Sequence, residues 1–236
     1  MVKYTKGGDR MKITFLGTGA ADWPRKRPEE YKEFRRLSSA LIDDELLIDP
    51  GPQVPEALEE LKKDPKSIKY VINTHSHSDH FSAETLSYLE NMGASFIQLA
   101  DGDVKSMGKY TVKAYTANHA TCKNTVHFII SDGERTLFYG LDGAWLLYEE
   151  YRAIKEHMPD FAVFDATIGF RDGDFRIFEH NDINMVLEMQ KTLKPYIKRF
   201  CISHMARTLH TDHQTLCEKM REYCIDVAYD GMETEI

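Results

Sequence analysis

The sequence predicts an α/β protein with strands in more than one sheet and helices over the outside. Three observations predict it. Apolar runs of strand length recur along the chain and alternate with segments of helical spacing. Some of these runs, such as "MKITFLG" and "KYVINT", are continuously apolar, as a buried strand is. Apolar residues make up 42% of the 236, enough for a substantial core, and no repeat or linker divides the chain. The expected organisation is one domain over residues 11–236. Residues 1–10 read as an extension ahead of Met11.

Taken in order, "MKITFLG" (11–17) is a strand ending in the turn Gly17-Thr-Gly19. Residues 21–36 are polar, contain two prolines and show no period, which predicts a surface loop. "SALIDDELLIDPG" (39–51) reads as two strands about an Asp-Asp turn. "VPEALEELKK" (54–63) has helical spacing, and "KYVINT" (69–74) is a strand. In "SAETLSYLENM", Ser82 stands where a helix cap is expected. "SFIQLA", "YTVKAYTA", "TVHFIIS" and "RTLFYGLD" read as strands, and "AWLLYEEYRAIKEHM" as a helix. Then come strand "FAVFDAT", a helix from Asp182, strand "KRFCISH", helix "DHQTLCEKMREYC" and a last strand, "IDVAYDG".

Bulk properties exclude several function classes. The net charge of -8 argues against duplex DNA or long RNA, which are held by Lys and Arg on phosphate. No apolar run is long enough to span a membrane, and "MVKYTKGGDR" lacks a signal-peptide core. The four cysteines form no CxxC pair and no disulfide framework, which fits a reducing cytoplasm.

The chemistry concentrates in "THSHSDH", directly after an apolar strand. His75, His77, Asp79 and His80 lie within six residues. Imidazole nitrogen suits zinc and similar cations, and Asp adds a harder oxygen. His75 and His77 can point the same way in extended backbone, whereas the consecutive Asp79 and His80 face elsewhere, which favours two metals over one. Further metal-capable residues end later strands: His119 in "TANHA", Asp142 in "FYGLDG" and His204 in "CISHM". One cation would take His75, His77 and His119, the other Asp79, His80 and His204, with Asp142 between them.

This set resembles the metallo-β-lactamase superfamily over nearly the whole chain. The resemblance implies an αββα sandwich with a dinuclear site at one edge. It also implies that Asp49, in "LLIDPG", orients a ligand from behind. Asp165, in "FDAT", and His180, before Asn181-Asp182, look like the acid–histidine dyad of the superfamily's phosphodiesterase branch. That branch includes ribonuclease Z and the cyclic phosphodiesterases of phosphonate breakdown. "LGTGAADWP", "RRLSS" and "VAYDGMETEI" also resemble the latter. Two features depart: residues 20–36 hold no cysteines for that group's structural zinc, and no long arm for tRNA is present.

The expected protein is a cytoplasmic metallohydrolase with two divalent ions, zinc or manganese first and iron third. Its reaction would be attack of a metal-bridging hydroxide on a small or cyclic phosphodiester, with Asp79 at the reacting centre. His180, oriented by Asp165, would protonate the leaving group. His210, His213 and Arg36 are candidate contacts for a substrate phosphate. Two other readings remain: hydrolysis of an ester, lactone or thioester at the same metals, and a metal-binding sensor or assembly protein without turnover. Expected partners are a small-molecule substrate and, at most, a second copy of the chain in a homodimer, with neither duplex nucleic acid nor membrane.

Overall fold

A computed structural model describes residues 10–236, so the expected N-terminal extension lies, but for Arg10, outside the described residues. In chain order the elements are β1 (Lys12–Gly17), β2 (Ser39–Ile42), β3 (Leu46–Ile48), α1 (Val54–Glu60), β4 (Tyr70–Ile72), α2 (Ala83–Asn91) and β5 (Ser95–Phe96). Next are β6 (Val104–Met107), β7 (Tyr110–Thr116), β8 (Val126–Ser131), β9 (Thr136–Gly140), α3 (Tyr148–His157) and β10 (Phe161–Asp165). The chain closes with α4 (Ile183–Leu193), β11 (Arg199–Ser203), α5 (His213–Arg221), β12 (Ile225–Val227) and β13 (Glu233–Glu235).

The strands form two sheets, ordered β13-β1-β2-β3-β4-β5 and β12-β11-β10-β9-β8-β7-β6. Apolar clusters fix how these stack. Ile13, Phe15, Ile42 and Ile48 of the first sheet share one buried cluster with Val112, Phe128, Tyr139 and Val163 of the second. The opposite face of the first sheet, with Leu16, Leu41 and Val71, packs on Val54, Leu58 and Leu89 from α1 and α2. The opposite face of the second, with Phe138, Phe164 and Ile202, packs on Ile154, Val186 and Leu216 from α3, α4 and α5. Helices cover both outer faces, so the fold is the αββα sandwich. Both sides of these strands are buried, which is why their sequences read as unbroken apolar runs.

Capping chemistry sets the helix starts. Ser82 accepts from Thr85 N, Asp182 from Met185 N and Asp212 from Thr215 N, each filling an orphan donor of the first turn. Residues 21–36 form no helix or strand. Three details differ from the sequence reading. The expected strand "SFIQLA" pairs only over Ser95–Phe96, and α3 begins at Tyr148, after Trp145 takes a left-handed backbone (φ 49). The edge strands β6 and β13 were not expected; "VKSM" and "ETE" are largely exposed and carry little apolar signal, and main-chain pairing recruits them, helped in β6 by the buried Met107. Among the described residues no helix is long and apolar enough to cross a membrane.

Candidate metal centre

The loops that leave β4, β7, β9, β10 and β11 converge at one edge of the sandwich. After β4 the chain runs through Thr74 and His75. It then turns, with His80 N and Phe81 N donating to the His77 carbonyl at 3.0 and 2.9 Å. This turn rests on the Asp49-Pro-Gly51 loop after β3. A side chain at Gly51 would stand 2.8 Å from the Asp79 carbonyl oxygen, so only glycine fits there. Three residues of the site, Asp49, Asp142 and His204, have left-handed backbones at φ 62, 59 and 62. Such conformations cost a non-glycine residue on the order of 1–2 kcal/mol each, strain that the surrounding sandwich holds in place.

The convergent atoms form two groups. His75, His77 and His119 present ligand atoms within 4.8 Å of one another, and so do Asp79, His80 and His204. His75, His80 and Asp142 form a third such group, which places Asp142 between the other two. His119 Nε2 lies 3.2 Å from His77 Nδ1, and His80 Nε2 lies 3.1 Å from His204 Nε2. These separations approach the roughly 3.3 Å between nitrogens that share a tetrahedral cation at about 2.0–2.1 Å.

Outer hydrogen bonds aim the inner nitrogens. His80 Nδ1 donates to Asp49 Oδ2 at 2.8 Å, and Asp49 Oδ1 accepts from Thr74 N and Oγ1 at 2.7 and 2.9 Å. With its hydroxyl proton given to Asp49, Thr74 Oγ1 accepts from His75 Nδ1 at 3.0 Å. His119 Nδ1 donates to the Glu179 carbonyl at 3.3 Å, and His204 Nδ1 to Thr167 Oγ1 at 2.7 Å. Each bond assigns the tautomer whose lone pair faces the cluster. His75 Nε2 is buried without a hydrogen-bond partner, a cost that a bound cation removes. On these observations the residues present fit divalent metal.

Burial and the nearby carboxylates set the electrostatics of the cluster. Burial, reinforced by His80, pushes His75 down to about 2, and burial also lowers His119. Both are neutral and ready to ligate. Burial opposes protonation of His80 too, but the carboxylates of Asp142, Asp79 and Asp49 outweigh it and raise His80 well above its ordinary value. His204 is pushed up to about 10 in the same way, by Asp142 and Asp165 against burial.

Asp165 has a wider role than orienting His180. Its Oδ1 accepts from Thr167 N and Asn181 N at 2.9 and 3.1 Å. Its Oδ2 accepts from His180 Nδ1 at 3.0 Å, Thr167 Oγ1 at 3.0 Å and Asp142 N at 3.2 Å, and stands 3.3 Å from His204 Nδ1. One fully buried carboxylate therefore ties together the candidate acid, the residue between the two groups and one ligand histidine. Burial disfavours a proton on His180, yet Asp165 and then Asp142 raise its pKa.

These groups face a cleft of about 230 Å³ whose lining includes His77, Asp79, His119, Asp142, His180 and His204. His210, His213 and Arg36 are not among its lining residues, so the expected contacts with a substrate phosphate do not fit their placement. His210 Nε2 donates to the Ala166 carbonyl at 2.6 Å, and burial pushes it down to about 4. His213 opens α5 and its Nδ1 accepts from Arg35 at 3.0 Å. Arg36 pairs with Glu60 and stands 3.8 Å from Asp230. Each is held by an internal partner. His127, within β8, pairs in the core with Glu150 and donates from Nε2 to the Leu141 carbonyl at 3.1 Å. Sequence reading missed Thr74 and Thr167, the hydroxyls behind the ligands, and the cleft residues Arg176 and Glu179. Thr167 stands two residues after Asp165, which was its only signal.

Residues 38–83, from β2 through the histidine motif, match the metallo-beta-lactamase superfamily. Over that segment the chain is similar to the superfamily, and the αββα sandwich is a fold shared with solved structures. Solved structures share the fold at low identity. YhfI of Bacillus subtilis, a metallo-beta-lactamase fold protein, is 16% identical with a TM-score of 0.74, covering 97% of this chain and 100% of its own. Zn(2+)-bound PqqB of Methylobacterium extorquens is 14% identical, with TM-score 0.73 and coverages of 95% and 100%. A diphosphatase from the PhnP family is 15% identical, with TM-score 0.71 and coverages of 96% and 98%. No curated protein matches the chain.

Proposed function

We propose that the protein is a dinuclear metal-dependent phosphodiesterase acting on a small or cyclic phosphodiester. The observation that carries this reading is the His180–Asp165 pair, which lies beside the ligand groups and opens onto the same cleft. His75, His77 and His119 would hold one cation, Asp79, His80 and His204 the other, and Asp142 lies where it reaches both. Divalent ions held there supply Lewis acidity and acidify a water towards neutrality. Zinc, manganese and iron all suit such a donor set.

The chain's own residues do the rest. Asp165 Oδ2 accepts a hydrogen bond from His180 Nδ1 and its charge favours the protonated ring, which makes Nε2–H available to a leaving alkoxide. Phosphate-ester cleavage expels an oxygen that needs this proton; an activated thioester does not. Proteins that share this fold include the diphosphatase of the PhnP family and human tRNase Z, short form, which supports the same reading. The small cleft suits a small-molecule substrate, and the net charge of -8 suits no long nucleic acid.

The test is metal analysis of the purified protein, followed by a panel of cyclic and linear phosphodiesters beside lactones and thioesters. Two equivalents of metal and turnover confined to phosphodiesters are expected. Turnover of lactones or thioesters alone would transfer the assignment to carbonyl chemistry. Full metal occupancy with no turnover of any substrate would favour a sensor.

A further inference from the structure

The outer wall of the cleft is a short 3₁₀ helix, Phe175–Phe178, running on into Glu179 and His180. Arg176 O accepts from both Glu179 N and His180 N, at 2.9 and 2.8 Å, which carries the turn through His180. A 3₁₀ helix has three residues per turn, so residues three apart share a face. "FRIFEH" is two triplets read on that period. Ile177 packs against Ala20, Ile168, Ala206 and Leu209, and His180 follows it towards the metal centre. Arg176 and Glu179 line the cleft. Phe175 and Phe178 remain, 77% and 75% exposed, side by side on the third face.

Two nearly bare phenylalanines within one turn are costly in water. Nothing in the packing of the segment requires them, since Ile177 anchors it and Asp174 holds Arg176 at 2.8 and 2.9 Å. The surface is also small. Two aromatic side chains offer roughly 150–250 Å² each, well short of the about 800 Å² per partner of a stable protein interface. A planar ring of ligand size matches it. The face adjoins the cleft, because Arg176, between the two rings, and Glu179, beside them, both line it.

We propose that Phe175 and Phe178 form an aromatic ledge that stacks a planar ring of the substrate, so that the cleft takes a phosphodiester with an aryl or nucleoside group. This rests on the phosphodiesterase reading and names its substrate class. The ring lies against the two phenylalanines while the phosphorus sits among the ligand residues. The Arg176 guanidinium, 5.4 Å from the Phe175 ring centroid, stiffens the ledge from the cleft side.

The test is isothermal titration calorimetry on metal-loaded full-length protein, wild type and the Phe175→Ala/Phe178→Ala double variant. Two pairs of ligands are used: phenyl phosphate against methyl phosphate, and adenosine 5′-monophosphate against ribose 5-phosphate. Wild type is expected to prefer the ring-bearing member of at least one pair about tenfold, the scale of one stacked ring. The double variant should reduce that preference to about twofold or less, and the responding pair tells an aryl from a nucleoside group. Both substitutions are exposed, so folding is not at risk. A preference unchanged in the double variant, no preference in either pair, or no binding of any phosphate overturns the ledge. So does a shift of the double variant to a smaller species in sedimentation equilibrium with ligand preference unaltered, which would assign the rings to self-association. Ring preference that depends on the ledge, found without turnover of any phosphodiester, supports the ledge and removes only the assigned reaction.

Discussion

The floor and the outer wall of the cleft are built on opposite principles. On the floor, His75, His80, His119 and His204 are each fixed from behind by a hydrogen bond, and Asp49 and Asp165 are completely buried acceptors. On the wall, one 3₁₀ turn held by Ile177 leaves two phenylalanines in solvent. The floor is organised before any ligand arrives, which places reactive groups at low reorganisation cost. The wall keeps apolar surface free, which only contact with something outside the chain can use. On the proposed reading, reaction type and substrate choice reside in different segments.

Substitutions can break or sharpen this contrast. His180→Ala should lower kcat by about 10²–10⁴-fold while both metal equivalents remain, as steady-state kinetics and metal analysis would show. The loss should shrink for 4-nitrophenyl esters, whose leaving group needs no proton. An equal loss on both substrates would make His180 part of the floor's structure rather than an acid. Beneath the floor, His127→Gln leaves Glu150 buried without its partner and should cost about 3–5 kcal/mol in urea unfolding. Burial opposes the His127 proton but Glu150 outweighs it and raises the pKa. Stability from this raised group is complete below about pH 6.5, the unfolded value, and is lost as pH climbs through the folded one. The gap between wild type and variant should accordingly narrow in alkaline solution.

Asp49→Ala frees His80 and should weaken metal binding about 10–100-fold, read by competition with a chelating dye. Smallest of all, Phe175→Ala/Phe178→Ala should change unfolding free energy by no more than about 0.5 kcal/mol. A larger loss would mean that the wall, like the floor, is structural.

How far the sequence could be read follows the same division. The ligand residues were legible because metal chemistry needs particular side chains and strands end where a cleft begins. The sandwich was legible because double-sided burial leaves unbroken apolar runs such as "FAVF". β6 and β13 were not, since edge pairing uses main-chain groups that any residue supplies. Thr74 and Thr167 were hidden for a related reason: a hydroxyl behind a histidine has no spacing rule of its own. His210, His213 and Arg36 each turn to an internal partner, a direction that nearness to His204 or to a basic turn does not give. The period-three face of "FRIFEH" was in plain view, but it has meaning only once the 3₁₀ geometry is known.

The ligand residues also divide by origin. His75, His77, Asp79 and His80 hang from the first sheet, whereas His119, Asp142 and His204 hang from the second. Cations seated among them, as proposed, would fasten two layers that otherwise meet through apolar packing. Any ion bound only by the folded chain stabilises it by mass action, about 2.7 kcal/mol at a hundred times its dissociation constant. The thermal midpoint of this protein should thus track the free metal concentration of its surroundings, and a chelator should loosen the seam between the sheets.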